Sequence, residues 1–123
     1  MSDPSISRRA GPKPNGDPLA DAVEEIGDRW MILIVGAAFG GISRFDDFQR
    51  ELNVARNILS NRLRRLVDQG ILHKRPVREG ARRMQYALTE KGHALRGTLD
   101  GMRDWGDAWA TAGAPAARSG GAD

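Results

Sequence analysis

Arg56, Asn57, Ser60, Asn61 and Arg64 fall within one short stretch of the chain. If that stretch is helical, about 100° of rotation per residue sets Asn57, Asn61 and Arg64 opposite Leu59, Leu63 and Leu66, with Arg56, Ser60 and Arg65 flanking. The polar face carries no acid until Asp68. Guanidinium, amide and hydroxyl groups so arranged can exchange hydrogen bonds with base edges in a major groove, and arginine also pairs with phosphate through two parallel bonds. Downstream, Arg78, Arg82 and Arg83 bracket Glu79-Gly80-Ala81, a cationic loop suited to phosphate or to a minor groove. Upstream, Ser43 and Arg44 stand where a helix would begin. Ser43 either caps that helix or, with Arg44, donates to a phosphate at its N-terminus. Each feature alone is an ordinary solvated surface, but their adjacency favours a double-stranded DNA partner.

The charge distribution agrees. Net charge is only +3 over 123 residues, yet residues 43–83 hold eleven Lys/Arg against five Asp/Glu, and Arg outnumbers Lys sixteen to three. Other chemistry is hard to assemble. With no cysteine, there are no disulfides, thiolate metal sites or thiol sensors. His73 and His93 are the only histidines and have no clustered carboxylates, so neither a metal nor another cofactor is expected. No nucleophile pairs with a histidine and no glycine loop is built for phosphate, so catalysis is not expected either. The longest apolar stretch, Trp30 to Phe39, is well short of the roughly eighteen residues of a membrane span. No apolar segment follows Arg8, Arg9 and Lys13, so no secretory leader is expected and the chain reads as cytoplasmic.

The elements that must position these side chains follow from periodicity and caps. Residues 1–16 have three Pro, two Gly and a single Ile, too little apolar surface to order themselves, and read as a disordered arm. Residues 17–112 read as one folded domain, and the Ala/Gly/Ser/Pro-rich residues 113–123 as a flexible tail. Asp17 and Pro18 start a first helix that Gly27 stops, and Asp28 caps a second, apolar nearly all round, from Arg29 to Ala38. A short third helix runs from Arg44 to Leu52, and a tight connection through Asn53 and Val54 leads to the fourth, Ala55 to Gln69. The period then changes to two at Ile71–Val77 and Met84–Leu88, a hairpin with the arginine loop at its tip. Thr89 caps a long last helix, Glu90 to about Thr111. The fold class is therefore mainly α (α+β): a winged helix-turn-helix with a two-stranded β-hairpin wing and a long C-terminal helix.

On Ile26-Gly27-Asp28-Arg29-Trp30, Arg44-Phe45, Leu59-Ser60-Asn61-Arg62-Leu63, Asp68-Gln69-Gly70-Ile71-Leu72 and above all Tyr86-Ala87-Leu88-Thr89-Glu90-Lys91-Gly92, the sequence resembles the HxlR-type regulators, relatives of the MarR-like winged-helix proteins. The resemblance runs from about Asp17 to Trp109. It implies a transcriptional regulator, a repressor, bound as a homodimer to a pseudo-palindromic operator, with the fourth helix in the major groove and the wing beside it. Three departures stand out. Asp17 occupies the place where many members carry a sensing cysteine, Ala55 replaces the usual capping Ser at the recognition helix, and Gly80-Ala81 replaces the usual Pro in the wing. The absence of a serine cap costs on the order of 1 kcal/mol at that terminus.

Leu95, Leu99, Met102, Trp105 and Trp109 form one stripe of the last helix. With Leu19 and Val23 they are the expected dimer interface, because two exposed Trp on a monomer would leave an apolar patch. Gly92, Gly97, Gly101 and Gly106 on the same helix suggest close crossings or a kink there. Trp30, Met31, Met102 and Trp105 are expected to line a pocket for a small apolar or aromatic effector. Arg62 points partly toward the core and either braces an acidic partner or the wing, or touches DNA. The alternative to a regulator is a winged-helix protein–protein interaction module whose basic face meets an acidic partner.

Overall fold

The computed structural model describes residues 16–110. The arm read at 1–16 (Gly16 apart), the tail read at 113–123 and the expected helix end at Thr111 lie outside them.

Helix α1, Pro18–Ile26, opens with Asp17 accepting the Leu19 amide at 3.0 Å. Asp28 begins α2, Arg29–Phe39, by accepting the Trp30 and Met31 amides at 2.8 and 3.2 Å. Both are side-chain caps on otherwise orphan backbone donors. Helix α3, Phe45–Leu52, ends at Asn53, whose backbone is left-handed at φ 51°. Asparagine tolerates that conformation, and it turns the chain directly into α4, Arg56–Asp68. Gly70, at φ 76°, releases the chain from α4 into the hairpin.

Strands β1, Leu72–Pro76, and β2, Met84–Leu88, pair antiparallel with Leu72 opposite Leu88 and Pro76 opposite Met84. The Val77 amide bonds the Arg83 carbonyl at 2.9 Å and closes the tip. The core lies between α2, α3, α4 and the base of the wing: Met31, Ile34, Val35, Phe48, Leu59, Leu63, Leu66, Ile71 and Leu72 are buried, and Leu99 joins them from the last helix. Complete burial of each aliphatic side chain is worth about 1.5–3 kcal/mol. Among the described residues no helix is long and apolar enough to cross a membrane.

Two local expectations need correction. Ser43 does not cap α3. The residue at the cap is Arg44, which makes no side-chain cap bond. Ser43 faces the wing instead: its carbonyl accepts the Tyr86 amide at 2.8 Å, and its hydroxyl lies 3.4 Å from Gln85 Oε1. The last helix is not continuous. Thr89 caps it as expected, accepting the Gly92 amide at 3.0 Å, but it divides into α5, Glu90–His93, α6, Arg96–Trp105, and a final π-helical turn, Gly106–Ala110. The first break comes where the Leu95 amide bonds Gly92, three residues back, which tightens one turn.

Gly92, just before that junction, makes a close contact with the hairpin. A Cβ there would lie 2.3 Å from the Ile71 carbonyl oxygen. That oxygen is held by the Thr89 amide at 3.0 Å and the Thr89 hydroxyl at 3.1 Å, so it cannot retreat freely. Gly92 thus serves close packing inside the chain. A methyl at Gly97, Gly101 or Gly106 would meet nothing within 4 Å. Gly92→Ala is expected to destabilise the domain by about 2 kcal/mol, whereas Gly97→Ala should stabilise it by up to about 1 kcal/mol through helix propensity. Urea unfolding of the two variants checks the contrast, and equal effects of the same sign would contradict it.

Candidate nucleic-acid interface

The α3–turn–α4 unit is fixed from beneath. Val54 is buried in the turn, and Leu59, Leu63 and Leu66 are fully enclosed, so α4 cannot rotate without opening the core. Its opposite face therefore presents Arg56, Asn57, Ser60 and Arg64, all exposed. Asn61 is half-buried, with its Oδ1 accepting from Arg62 Nη1 at 2.9 Å. Ala55 makes no side-chain cap, leaving the amides of the first turn without a local acceptor from that residue.

Other contacts set the tilt of α4. Arg62 reaches across to Asp28 through two bonds, Nε to Oδ1 at 3.1 Å and Nη2 to Oδ2 at 3.0 Å. The carboxylate that starts α2 thereby also holds α4. The Arg62 bond pulls the Asp28 carboxyl below its ordinary 3.8, helped by the Met31 and Trp30 amides and opposed by burial. The same bond raises the Arg62 guanidinium. Arg62 is accordingly a brace to an acidic partner. At the other end of α4, Gln69 donates to the Glu25 carbonyl at 3.0 Å, and Lys91 donates to the Gln69 carbonyl at 2.9 Å while pairing with Glu25.

The wing docks on this unit. Besides the Ser43–Tyr86 backbone bond, the Tyr86 ring meets Phe48 edge-on at 6.5 Å, and the Lys74 ammonium lies 5.7 Å from the Tyr86 ring centroid. Between wing and α3–α4 opens a cleft of about 520 Å³. Arg44, Arg50, Arg56, Lys74 and Arg83 line it together with Asp46 and Asp47. Among the described residues Arg50 pairs with Asp47 and Arg56 with Asp46 at 3.4 Å, while Arg44, Lys74 and Arg83 pair with no carboxylate. The expected residues Arg44, Arg56 and Arg83 thus converge on one cleft. Asn57, Ser60 and Arg64 continue its rim along α4, and Arg78 and Arg82 are exposed at the wing tip.

Ser43 stands behind the wing, lining a second cleft of about 360 Å³ with His73, Arg75 and His93. Sequence reasoning misses Arg50 and Lys74. Strand alternation could have found Lys74, since it sits across from Tyr86 in the hairpin register; Arg50 has no local signal.

The apolar residues divide. Leu19, Val23, Met102, Trp105 and Trp109 are exposed, Trp105 at 64% and Trp109 at 74%. Leu95 and Leu99, read as seam residues, instead pack on the chain's own core, Leu99 being only 6% exposed. Of the residues expected to line an effector pocket, Met102 and Trp105 are exposed. Met31 is sealed in the core at 0%, Trp30 packs partly against that core, and neither cleft is lined by Trp30, Met31, Met102 or Trp105.

A family model described as HxlR-like helix-turn-helix matches residues 25–114. Rv3095 of Mycobacterium tuberculosis, named as an uncharacterized HTH-type transcriptional regulator, is 38% identical over 75% of this chain and 58% of its own length; the chain thus spans little more than half of that relative. YvaP of Bacillus subtilis, named likewise, is 34% identical over 72% of this chain and 82% of its own. Among solved structures, PA1607, described as a candidate transcription factor, superposes with TM-score 0.76 at 41% identity, covering 83% of this chain and 71% of that one. The quinone-bound crystal structure of YodB from Bacillus subtilis does so with TM-score 0.62 at 26% identity, covering 80% of this chain and all of that one.

Proposed function

Because the chain belongs to the HxlR-like helix-turn-helix family, a family of transcriptional regulators, we propose that it is a DNA-binding repressor acting as a homodimer on a pseudo-palindromic operator. The observation that carries the reading is the continuity of the outer face of α4, free of acids until Asp68 at its end, with the cleft and the arginines of the wing. Each protomer lays α4 in a major groove, where Asn57, Ser60, Asn61 and Arg64 meet base edges. Arg44, Lys74 and Arg83 take phosphates in the cleft, with Arg78 and Arg82 on the flanking backbone or minor groove. Occupancy of the promoter then blocks polymerase. The place of action is the cytoplasm, where the DNA is.

The second copy covers Leu19, Val23, Met102, Trp105 and Trp109. The folded unit, residues 17–112, includes this seam. A small apolar or aromatic effector belongs to the same reading, held against Trp30, Met102 and Trp105 beneath the partner; Met31 is no part of it, being core. These 123 residues hold no cysteine, so they supply no thiol to that response. A thermal-shift screen with quinone-like and aromatic compounds tests the effector, and a flat screen would remove it.

Gel shifts across a salt series test DNA binding. Arg82→Ala and Arg83→Ala should each weaken binding to all duplexes and flatten the dependence of log K on log salt by about one. Asn57→Ala should leave that slope alone and relax base choice at particular positions. Wing variants that bind like wild type at every salt concentration would remove the wing from the interface. Heparin binding with no sequence preference would favour the protein–protein module instead.

A further inference from the structure

Arg56, the first residue of α4, is held unlike any other cation of the cleft. Its guanidinium lies over the Phe45 ring, 4.7 Å from the centroid. Its Nη1 donates to Gln49 Oε1 at 3.1 Å and to Asp46 Oδ1 at 3.4 Å. Gln49 is itself oriented, because its Nε2 donates to the Val54 carbonyl at 3.4 Å, and Val54 is buried in the helix-turn-helix turn. A side chain rich in rotamers is thus confined by one stacking face and two acceptors. Among the described residues the bonds that confine it use Nη1 alone, and the side chain is still 66% exposed, so the edge formed by Nε and Nη2 faces a prospective ligand.

Two parallel N–H donors on a fixed edge match the O6 and N7 acceptors of guanine. Adenine offers an amino donor beside N7, and cytosine an amino donor alone, so both set a donor against a donor. A phosphate is the poorer occupant at Arg56 itself: Asp46 already pairs with that guanidinium, and its carboxylate repels an anion but not a neutral base edge. Phosphates are better served by Arg44, Lys74 and Arg83, which pair with no carboxylate among the described residues.

We propose that Arg56 reads one guanine in each half-site, and that Gln49 is the positioning residue that holds it for that contact. The assignment rests on the DNA-binding reading above and specifies it.

Selection from random duplex oligonucleotides, followed by gel shifts on single-base variants of the winner, tests it. Wild type should select a symmetric pair of guanines. Arg56→Ala should reduce the preference for guanine at those two positions by about tenfold or more, with other positions and the salt slope unchanged. Gln49→Leu should flatten the same positions without altering the rest of the site, while Gln49→Glu, which keeps an acceptor for Nη1 but loses the donor to the Val54 carbonyl, should retain part of the preference. Circular dichroism confirms that each variant is folded. If Arg56→Ala weakens every duplex alike and leaves all base preferences intact, Arg56 is a phosphate contact and the proposal fails. If Gln49→Leu keeps full guanine preference, the positioning role fails. A wild-type chain that selects a site without guanine at the Arg56 position overturns this assignment alone. A chain that binds no duplex at any salt overturns the DNA-binding reading and this one with it.

Discussion

Trp105→Glu is expected to dissociate the proposed homodimer and weaken operator binding at least about a hundredfold, while leaving each protomer folded. Trp105 is 64% exposed, and its neighbours on that surface, Met102 and Trp109, are 50% and 74% exposed. A carboxylate therefore costs the isolated protomer almost nothing. In a two-fold interface the same residue occurs twice, so a central tryptophan worth about 2 kcal/mol per side removes about 4 kcal/mol, near a thousandfold in the dimer dissociation constant. Two half-sites joined by a dimer gain affinity through effective concentration, and that gain disappears with the dimer. Sedimentation equilibrium reads the mass, and gel shifts on a full palindrome against a single half-site read the coupling. A variant that stays dimeric and binds the palindrome like wild type moves the seam elsewhere.

Gly101→Ala gives the same question a second readout. A methyl at Gly101 meets no atom of its own chain within 4 Å, so helix propensity alone should stabilise the protomer by up to about 1 kcal/mol. If two copies cross closely at this point, the same methyl separates them and dimerisation weakens. Opposite signs for protomer stability and dimer affinity identify a close crossing. The same sign for both identifies an open face.

What the sequence disclosed, and what it withheld, follows from the range over which each signal acts. Asp17, Asp28 and Thr89 cap helices as their types suggest, because a cap bonds amides two or three residues away. The division of α4 into an apolar and a polar side was legible because one periodicity governs it. Ser43 misled because a partner 42 residues distant, the wing, competes for it. Leu95 and Leu99 share a stripe with Met102 and Trp105, and periodicity cannot tell how far along that stripe the chain's own core reaches: it covers Leu95 and Leu99 and leaves Met102 and Trp105 bare. Gly92 looked like its fellow glycines on the last helix. Only the Ile71 carbonyl, from a remote stretch, makes it different. The cleft was half visible: Arg44, Arg56 and Arg83 were read, but their convergence depends on the wing folding back over Phe48.

The Asp28–Arg62 pair should have the largest effect on stability of any polar contact described. Asp28→Ala removes the cap on α2, worth about 1 kcal/mol, and strands a guanidinium only 24% exposed that had used two charge-assisted bonds. A further loss of about 2 kcal/mol is reasonable for that, bringing the total near 3 kcal/mol. Asp28→Asn separates the parts. Its amide oxygen can still accept the Trp30 and Met31 amides, so the cap remains and only the ion pair is lost, at about 1–2 kcal/mol.

The pH dependence identifies the charge. The folded-state pKa of Asp28 lies below the ordinary 3.8, chiefly through Arg62, so its contribution is complete above that value and disappears as pH falls below it through the folded pKa. Urea unfolding from about pH 6 down to about pH 2 should show a steeper acid loss in wild type than in Asp28→Asn, with the two curves converging at the acid end. Because Arg62 projects from the helix proposed to read DNA, Arg62→Ala should also alter operator affinity without any contact to a base. A thermodynamic cycle of Asp28→Asn with Arg62→Ala should give a coupling of about 1–2 kcal/mol. Parallel pH curves, or a coupling near zero, would show that the bridge holds neither α2 nor the recognition helix.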